Sequence, residues 1–266
     1  MNYQTYYGFM KEPFAQDISL EDLYPLPGLQ GVKDRFDYSI QLKTVSIITG
    51  EIGSGKSTSL RCASSRLHPS EYKTLALVAN SGTLVEFLRL CCASLGEEIF
   101  SNSITRLLKS FRELICEIAS RKQTPVLILD EAHLLRNEIL AQLHVISQFE
   151  FDSKPIIPMI LCGQSQLIDK LHNISARAFA SRIVGRSHLQ AISLKDMNGY
   201  LNHHLEIAGI KQRLFCEESI LAVHQGSGGL LRRANILARG ALIAAAKDNS
   251  RVISADHVRI AASEVI

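Results

Sequence analysis

Gly50-Glu51-Ile52-Gly53-Ser54-Gly55-Lys56-Ser57 fits the spacing G-x-x-x-x-G-K-[ST] at every position. Glycines at those places let the backbone curl until successive N–H groups face phosphate oxygens. A helix beginning near Lys56 would turn its N-terminal dipole on the same anion. The Lys56 ammonium can reach the β- and γ-phosphates of a nucleotide, and the Ser57 hydroxyl is a hard ligand for Mg²⁺. A glycine-rich turn that binds nothing is the plainer alternative. The flanks argue against it: a short β-branched run at 44–49 precedes the loop and a helical pattern over about 56–67 follows, the setting this chemistry needs.

The second cluster is Val126-Leu127-Ile128-Leu129-Asp130-Glu131. An apolar run ending in two carboxylates places Asp130 at the carboxyl edge of a sheet, where ligands bind in α/β folds. There Asp130 would hold Mg²⁺, partly through water. Glu131 would orient an attacking water and take its proton. An Asp-Glu pair also starts solvated helices, but closing a buried strand in a chain that carries the glycine loop makes the chemical reading the stronger one.

Other residues are candidates of lesser weight. Gln164 follows the apolar run 156–161 and could touch a γ-phosphate or the water, or be an ordinary loop residue. Arg182 and Arg186 precede an expected last strand and could stabilise phosphoryl charge in a neighbouring subunit, or be surface cations. Arg232 and Arg233 stand at a helix start, where cations are unfavourable, so a phosphate, a partner surface or DNA would explain them. Asn80 could restrain Glu131 or be a turn residue in Asn80-Ser81-Gly82. The nine histidines form no ligand spacing and read as structural or exposed.

These residues need a scaffold. Strands are expected at about 44–49, 73–78, 126–129, 156–161 and 188–192, with Pro158 an obstacle in the fourth. Helices are expected between them, at about 30–43, 56–67, 82–95, 103–121 and 136–149. From 194 the pattern is helical throughout, over about 195–209, 217–225, 229–247 and 254–264, the last capped by Ser254. Alternating strands and helices predict a parallel sheet covered on both faces, followed by a small all-helical domain. Residues 1–43 read as an irregular arm and a first helix.

With 46% apolar and 21% charged residues the chain can build an ordinary globular core and has no disordered tail. A net charge of +3 permits a nucleic-acid partner without arguing for one. Cys62, Cys91, Cys92, Cys116, Cys162 and Cys216 form no C-x-x-C pair and read as buried thiols of a cytoplasmic protein. The N-terminus lacks the apolar stretch of a signal peptide, and no run approaches the ~20 apolar residues of a membrane helix.

Taken together, the motifs resemble the AAA+ ATPases grouped around ExeA of general secretion and the transposition regulators of the TnsC, TniB and MuB kind. Tyr7-Gly8-Phe9 and Pro13-Phe14 resemble that group's opening elements. The segment from Gly50 to Thr58, by way of Glu51, Ile52, Gly53, Ser54, Gly55, Lys56 and Ser57, is similar to its Walker A. Leu129-Asp130-Glu131-Ala132-His133 is similar to its Walker B. Leu161-Cys162-Gly163-Gln164 resembles its sensor-one segment, with Cys162 in place of a small residue. Arg182-Ile183 resembles its arginine finger, and Gly229-Leu230-Leu231-Arg232 with Asn235 its sensor two, with Leu231 in place of proline.

The resemblance implies a five-stranded AAA+ core at 44–193 after an arm at 1–43, and a helical lid at 194–266. It also implies ATP with Mg²⁺ as ligands and ring or filament assembly. Glu131, Lys56, Gln164 and Arg182 would be catalytic; Gly50–Thr58, Asp130 and Arg232 would bind nucleotide; Ser57 and Asp130 would hold the metal. Secretion members continue into a membrane helix and a wall-binding region, whereas this sequence stops after the lid. The expectation is therefore a transposition regulator that binds duplex DNA and recruits a transposase. The alternative is a secretion or cell-envelope ATPase that binds no DNA. Lys73, Arg61 and Arg66 could face DNA, although a solvated face is the better reading.

Overall fold

The structure, a computed structural model, describes residues 2–150 and 153–264. Residues 1, 151, 152, 265 and 266, which fall within the expected arm, core and lid, lie outside the described residues. Along the chain run α1 (Tyr3–Tyr7), α2 (Pro27–Leu42), β1 (Val45–Gly50), α3 (Lys56–Ser64), β2 (Tyr72–Val78), α4 (Leu84–Ser94), α5 (Ile104–Ser120) and β3 (Thr124–Asp130). A 3₁₀ turn at Ala132–Leu134 leads to α6 (Asn137–Ser147), β4 (Met159–Gly163), α7 (Gln166–His172), a 3₁₀ turn at Ile174–Ala176, α8 (Arg177–Ala180) and β5 (Ile183–Leu189). Four helices complete it: α9 (Leu194–Ile207), α10 (Glu217–Ser227), α11 (Leu231–Lys247) and α12 (Ala255–Ser263).

All five strands are parallel, in the order β2-β3-β4-β1-β5. The three inner strands are apolar almost throughout because both of their faces are covered. Successive residues of β3 serve opposite faces. Leu127 and Leu129 pack with Phe87, Leu88, Leu107, Phe111 and Ile115 of α4 and α5. Val126 and Ile128 pack with Val32, Phe36, Ile40 and Leu60 of α2 and α3. Each such fully buried side chain contributes roughly 1.5–3 kcal/mol over an exposed one.

Sequence and structure differ at several elements, among them α7 and α8, where no helix was expected. The fourth strand begins at Met159 and not at Ile156, since Pro158 has no N–H for the ladder; its carbonyl accepts from Leu127 N (3.0 Å). The fifth strand spans Ile183–Leu189 where 188–192 was expected. As an edge strand it alternates buried and exposed positions and has no apolar run to mark it. Arg186 therefore lies inside the strand and only Arg182 precedes it. The arm is also more ordered than expected, opening with α1 capped by Asn2. Of the cysteines, Cys62, Cys91, Cys92 and Cys162 are buried, but Cys116 is exposed and Cys216 half-buried; all six are free.

By internal contacts the chain forms two units: one of Gly28–Gly50 and Lys56–Leu189, the other of Met1–Pro27, Glu51–Gly55 and Gln190–Ile266. The second has its own core, in which arm residues Tyr7 and Phe14 join Met197, Leu201, Leu205, Phe215, Ala238 and Leu242. Phe14 stacks on the His204 ring at 5.3 Å, and His204 Nδ1 donates to Pro13 O (2.5 Å). Burial pushes the His204 imidazole down to about 4, against the opposing pull of the Pro13 bond. The ring is neutral when folded, and its unfolded value is about 6.5. The stability this burial requires is therefore intact above pH ~6.5 and is lost as pH falls toward ~4, by at most about 3 kcal/mol. His204→Gln should flatten the fall in melting temperature over that window relative to wild type. Parallel curves for the two proteins would reject the assignment.

Among the described residues no helix is long and apolar enough to cross a membrane.

Candidate nucleotide-binding site

β1 ends at Gly50 and α3 starts at Lys56, so the loop between them turns a parallel strand directly into a helix. Gly53 and Gly55 take φ of +81° and +93°, a region that side chains rarely enter. Ser54 Oγ is buried without a hydrogen-bond partner, a donor turned inward in a loop whose chemistry suits an anion. Lys56 is 6% exposed and its Nζ donates to Gly50 O (3.0 Å). Ser57, in the first turn of α3, is exposed.

The sheet order decides what stands beside the end of β1. β4 lies between β1 and β3, so Gly50 at the end of β1 and the carboxylates after β3 are two strand spacings apart, about 10 Å. Gln164 follows β4 and stands between them. Leu129 pairs with Leu161, which makes Asp130 and Cys162 neighbours one step further on. Burial and then the Asp130 carboxylate, to which the Cys162 thiol donates, push that thiol well above its ordinary value. Asp130 Oδ1 also accepts from Glu131 N (2.8 Å). A carboxylate at the sheet edge and an exposed hydroxyl opening α3 are hard oxygen donors, the set a Mg²⁺ ion prefers.

Glu131 has φ 53° and ψ 32°, a left-handed conformation that costs a non-glycine residue about 1–2 kcal/mol. The turn that follows holds it there, with Leu134 N donating to Glu131 O (2.9 Å). Its carboxylate lies 3.3 Å from His133 Nδ1, and His133 Nε2 lies 3.0 Å from the Gln164 amide nitrogen. His133 is thus a site residue that sequence reasoning set aside as structural or exposed. The available signal was its place two residues after Glu131 in Asp130-Glu131-Ala132-His133. Asn80 is not part of this cluster through its carbonyl: Asn80 Oδ1 accepts from Gly82 N (3.0 Å), the turn role weighed for it above.

In the other unit, Arg232 N donates to Gly53 O (3.1 Å), and a Cβ on Gly53 would meet Arg232 Cβ at 2.9 Å. The start of α11 is thus pressed against the glycine loop segment 51–55, and the Arg232 and Arg233 side chains are exposed. Arg182 stands elsewhere. Val45 pairs with Ile183 and Gly50 with Leu189, so Arg182 lies at the amino edge of the sheet, about 20 Å of strand from Gly50. Arg186 lies mid-strand, paired with Ile47, and is exposed. Of the basic residues considered for DNA, Arg66 is engaged by Asp37 (2.6 Å) on the surface.

Comparison with known proteins agrees with this architecture. Residues 40–171 match the AAA domain family. General secretion pathway protein A of Aeromonas hydrophila is 29% identical over 99% of this chain and 48% of its own length, so the chain spans about half of that relative. Two solved structures share the fold. The Aeropyrum pernix ORC2 protein, in ADPNP–ADP complexes, has a TM-score of 0.69 at 18% identity, covering 96% of this chain and 72% of that one. Cdc6p from Pyrobaculum aerophilum has a TM-score of 0.73 at 15% identity, covering 96% and 70%.

Proposed function

We propose that this chain, which carries an AAA domain at 40–171 and has the AAA+ P-loop fold, binds ATP at Gly50–Thr58 and hydrolyses it with the help of a second subunit. The observation that carries this reading is the sheet order, which sets Gln164 between Gly50 at the end of β1 and the Asp130-Glu131 pair at one edge of the sheet. The loop N–H groups and Ser54 Oγ would cradle the phosphates, and Lys56 would leave Gly50 O to neutralise the β- and γ-oxygens. Ser57 and Asp130 would hold Mg²⁺, which when bound draws charge from the phosphate oxygens. Glu131 would orient water for in-line attack and accept its proton on the carboxylate. Gln164 would bond the γ-phosphate or that water, and Arg232, beside Gly53, would add positive charge near the loop.

Arg182 supports the need for assembly. No side chain spans the roughly 20 Å of strand from Arg182 to the level of Gly50, which supports action of Arg182 on a nucleotide held by another copy. Arg182→Ala should keep nucleotide binding and lose turnover by about a thousandfold or more. Mixing Arg182→Ala with Glu131→Gln should restore part of the activity, because each supplies what the other lacks at a shared interface. Normal turnover of Arg182→Ala, or a silent mixture, would reject action across subunits.

On the wider role, a relative aligned along almost the whole chain is a general secretion protein. That observation favours the secretion or cell-envelope reading over the transposition regulator expected above. The two differ in one property: a transposition regulator holds duplex DNA when ATP is bound, through phosphate contacts that weaken steeply with salt. An anisotropy titration of duplex DNA at low salt, with a non-hydrolysable ATP analogue, should give no ATP-dependent binding at micromolar protein. Binding that needs the analogue and falls with salt would restore the transposition reading.

A further inference from the structure

We infer that His133 is a positioning residue that joins Glu131 to Gln164, so that the carboxylate acting on water and the amide at the tip of β4 are held as one unit. This rests on the ATPase reading above and assigns within that site a role to a residue outside the motif's acidic pair. The His133 ring is 6% exposed, while the Glu131 side chain it faces is 39% exposed. A buried imidazole therefore sets the direction of a carboxylate that solvent alone would leave free.

The contacts select one tautomer. With the proton on Nδ1, the ring donates to Glu131 Oε2 (3.3 Å) and accepts on Nε2 from the Gln164 amide (3.0 Å). The opposite neutral form would let Nδ1 accept from Gln164 N, but at 3.4 Å. It would also set a lone pair against the carboxylate, which is repulsive. The neutral Nδ1–H ring satisfies both side chains at once.

The surroundings hold the ring rigidly. Lys170 Nζ donates to the carbonyls of His133 (2.5 Å) and Leu135 (2.7 Å) and so clamps the turn from α7. A Cβ at Gly163 would meet His133 N at 3.0 Å and Nδ1 at 3.2 Å; glycine there lets β4 lie against the turn. Both devices act on the backbone that carries His133, and Glu131 begins that turn in its left-handed conformation. A ligand that draws the Gln164 amide toward itself thereby moves the partner that aims Glu131.

Steady-state ATPase kinetics on the whole protein test this. His133→Ala should lower kcat about 10- to 100-fold, the scale of a misaimed catalytic group, with KM for ATP within about twofold of wild type. His133→Asn, whose amide N–H can stand in for Nδ1–H, should recover at least about half of that loss on a logarithmic scale. Adding Gln164→Ala to His133→Ala should cost less than Gln164→Ala costs the wild type, because the part of its effect that passes through the ring is already lost. If His133→Ala does not fold, the His133→Asn and Gln164→Ala pair carries the same test. Wild-type kcat in the folded His133 variants, no recovery in His133→Asn, or losses that multiply with Gln164→Ala would each overturn the inference. Glu131→Gln, assayed in parallel, separates the two levels: if it turns over normally, the reading of Glu131 has failed. If it is slow while the His133 variants are normal, only the role of His133 has failed.

Discussion

Glu131→Gln is expected to bind ATP as wild type does and to hydrolyse it about 100- to 10,000-fold more slowly, the contribution of a positioned general base. The substitution keeps the size of the side chain and an oxygen that can still accept from His133 Nδ1–H, so the turn at Ala132–Leu134 should be undisturbed. What it removes is the carboxylate proposed to take a proton from water. In the proposed cycle hydrolysis releases an assembled form, so the variant should accumulate as an ATP-bound oligomer, visible by sedimentation. Single-turnover hydrolysis with a saturating protein excess separates this from a binding defect. A variant that hydrolyses ATP at the wild-type rate would remove Glu131 from the mechanism.

Lys56→Ala should weaken ATP binding about a hundredfold or more, equivalent to about 3 kcal/mol. The lysine is buried and its Nζ donates to Gly50 O, so its charge is already in place where β1 ends and α3 begins. Without it the loop keeps its glycine conformations and helix dipole but loses the lysine charge. The nucleotide-free protein should lose the hydrogen bond to Gly50 O, and the melting temperature should fall by only about 2–4 °C. A fluorescent-nucleotide titration beside a thermal melt reads both quantities. Wild-type affinity would mean that the glycine loop is not the phosphate site. A collapse of the melt would mean that Lys56 is structural.

Certain features of this chain were legible in one dimension because they are properties of contiguous residues. Gly50–Ser57 requires positive φ at defined positions, and only glycine supplies it cheaply, so the loop announces itself. Strands buried on both faces, such as β1 and β3, appear as continuous apolar runs. Amphipathic helices such as α5 show their buried Leu107, Phe111 and Ile115 at helical spacing. The edge strand β5 was misplaced for the complementary reason: half of it faces outward, and its pattern is diluted by Arg186 and His188.

What the tertiary structure alone decided were relations between segments far apart in the chain. The order β2-β3-β4-β1-β5 puts Gln164 between Gly50 and Asp130, and strand order is set by packing and crossover geometry rather than by any local signal. The same parallel register leaves Arg182 at the opposite edge of the sheet and Arg186 inside β5, a separation of the two arginines that their sequence positions did not show. His133 carried no ligand spacing and became a site residue only when β4 brought Gln164 to its ring and Lys170 fixed its turn. Local sequence determined which residues could do chemistry. Their partners were chosen by the fold, because hydrogen bonds across 31 or 37 residues exist only once a sheet has aligned the segments that carry them.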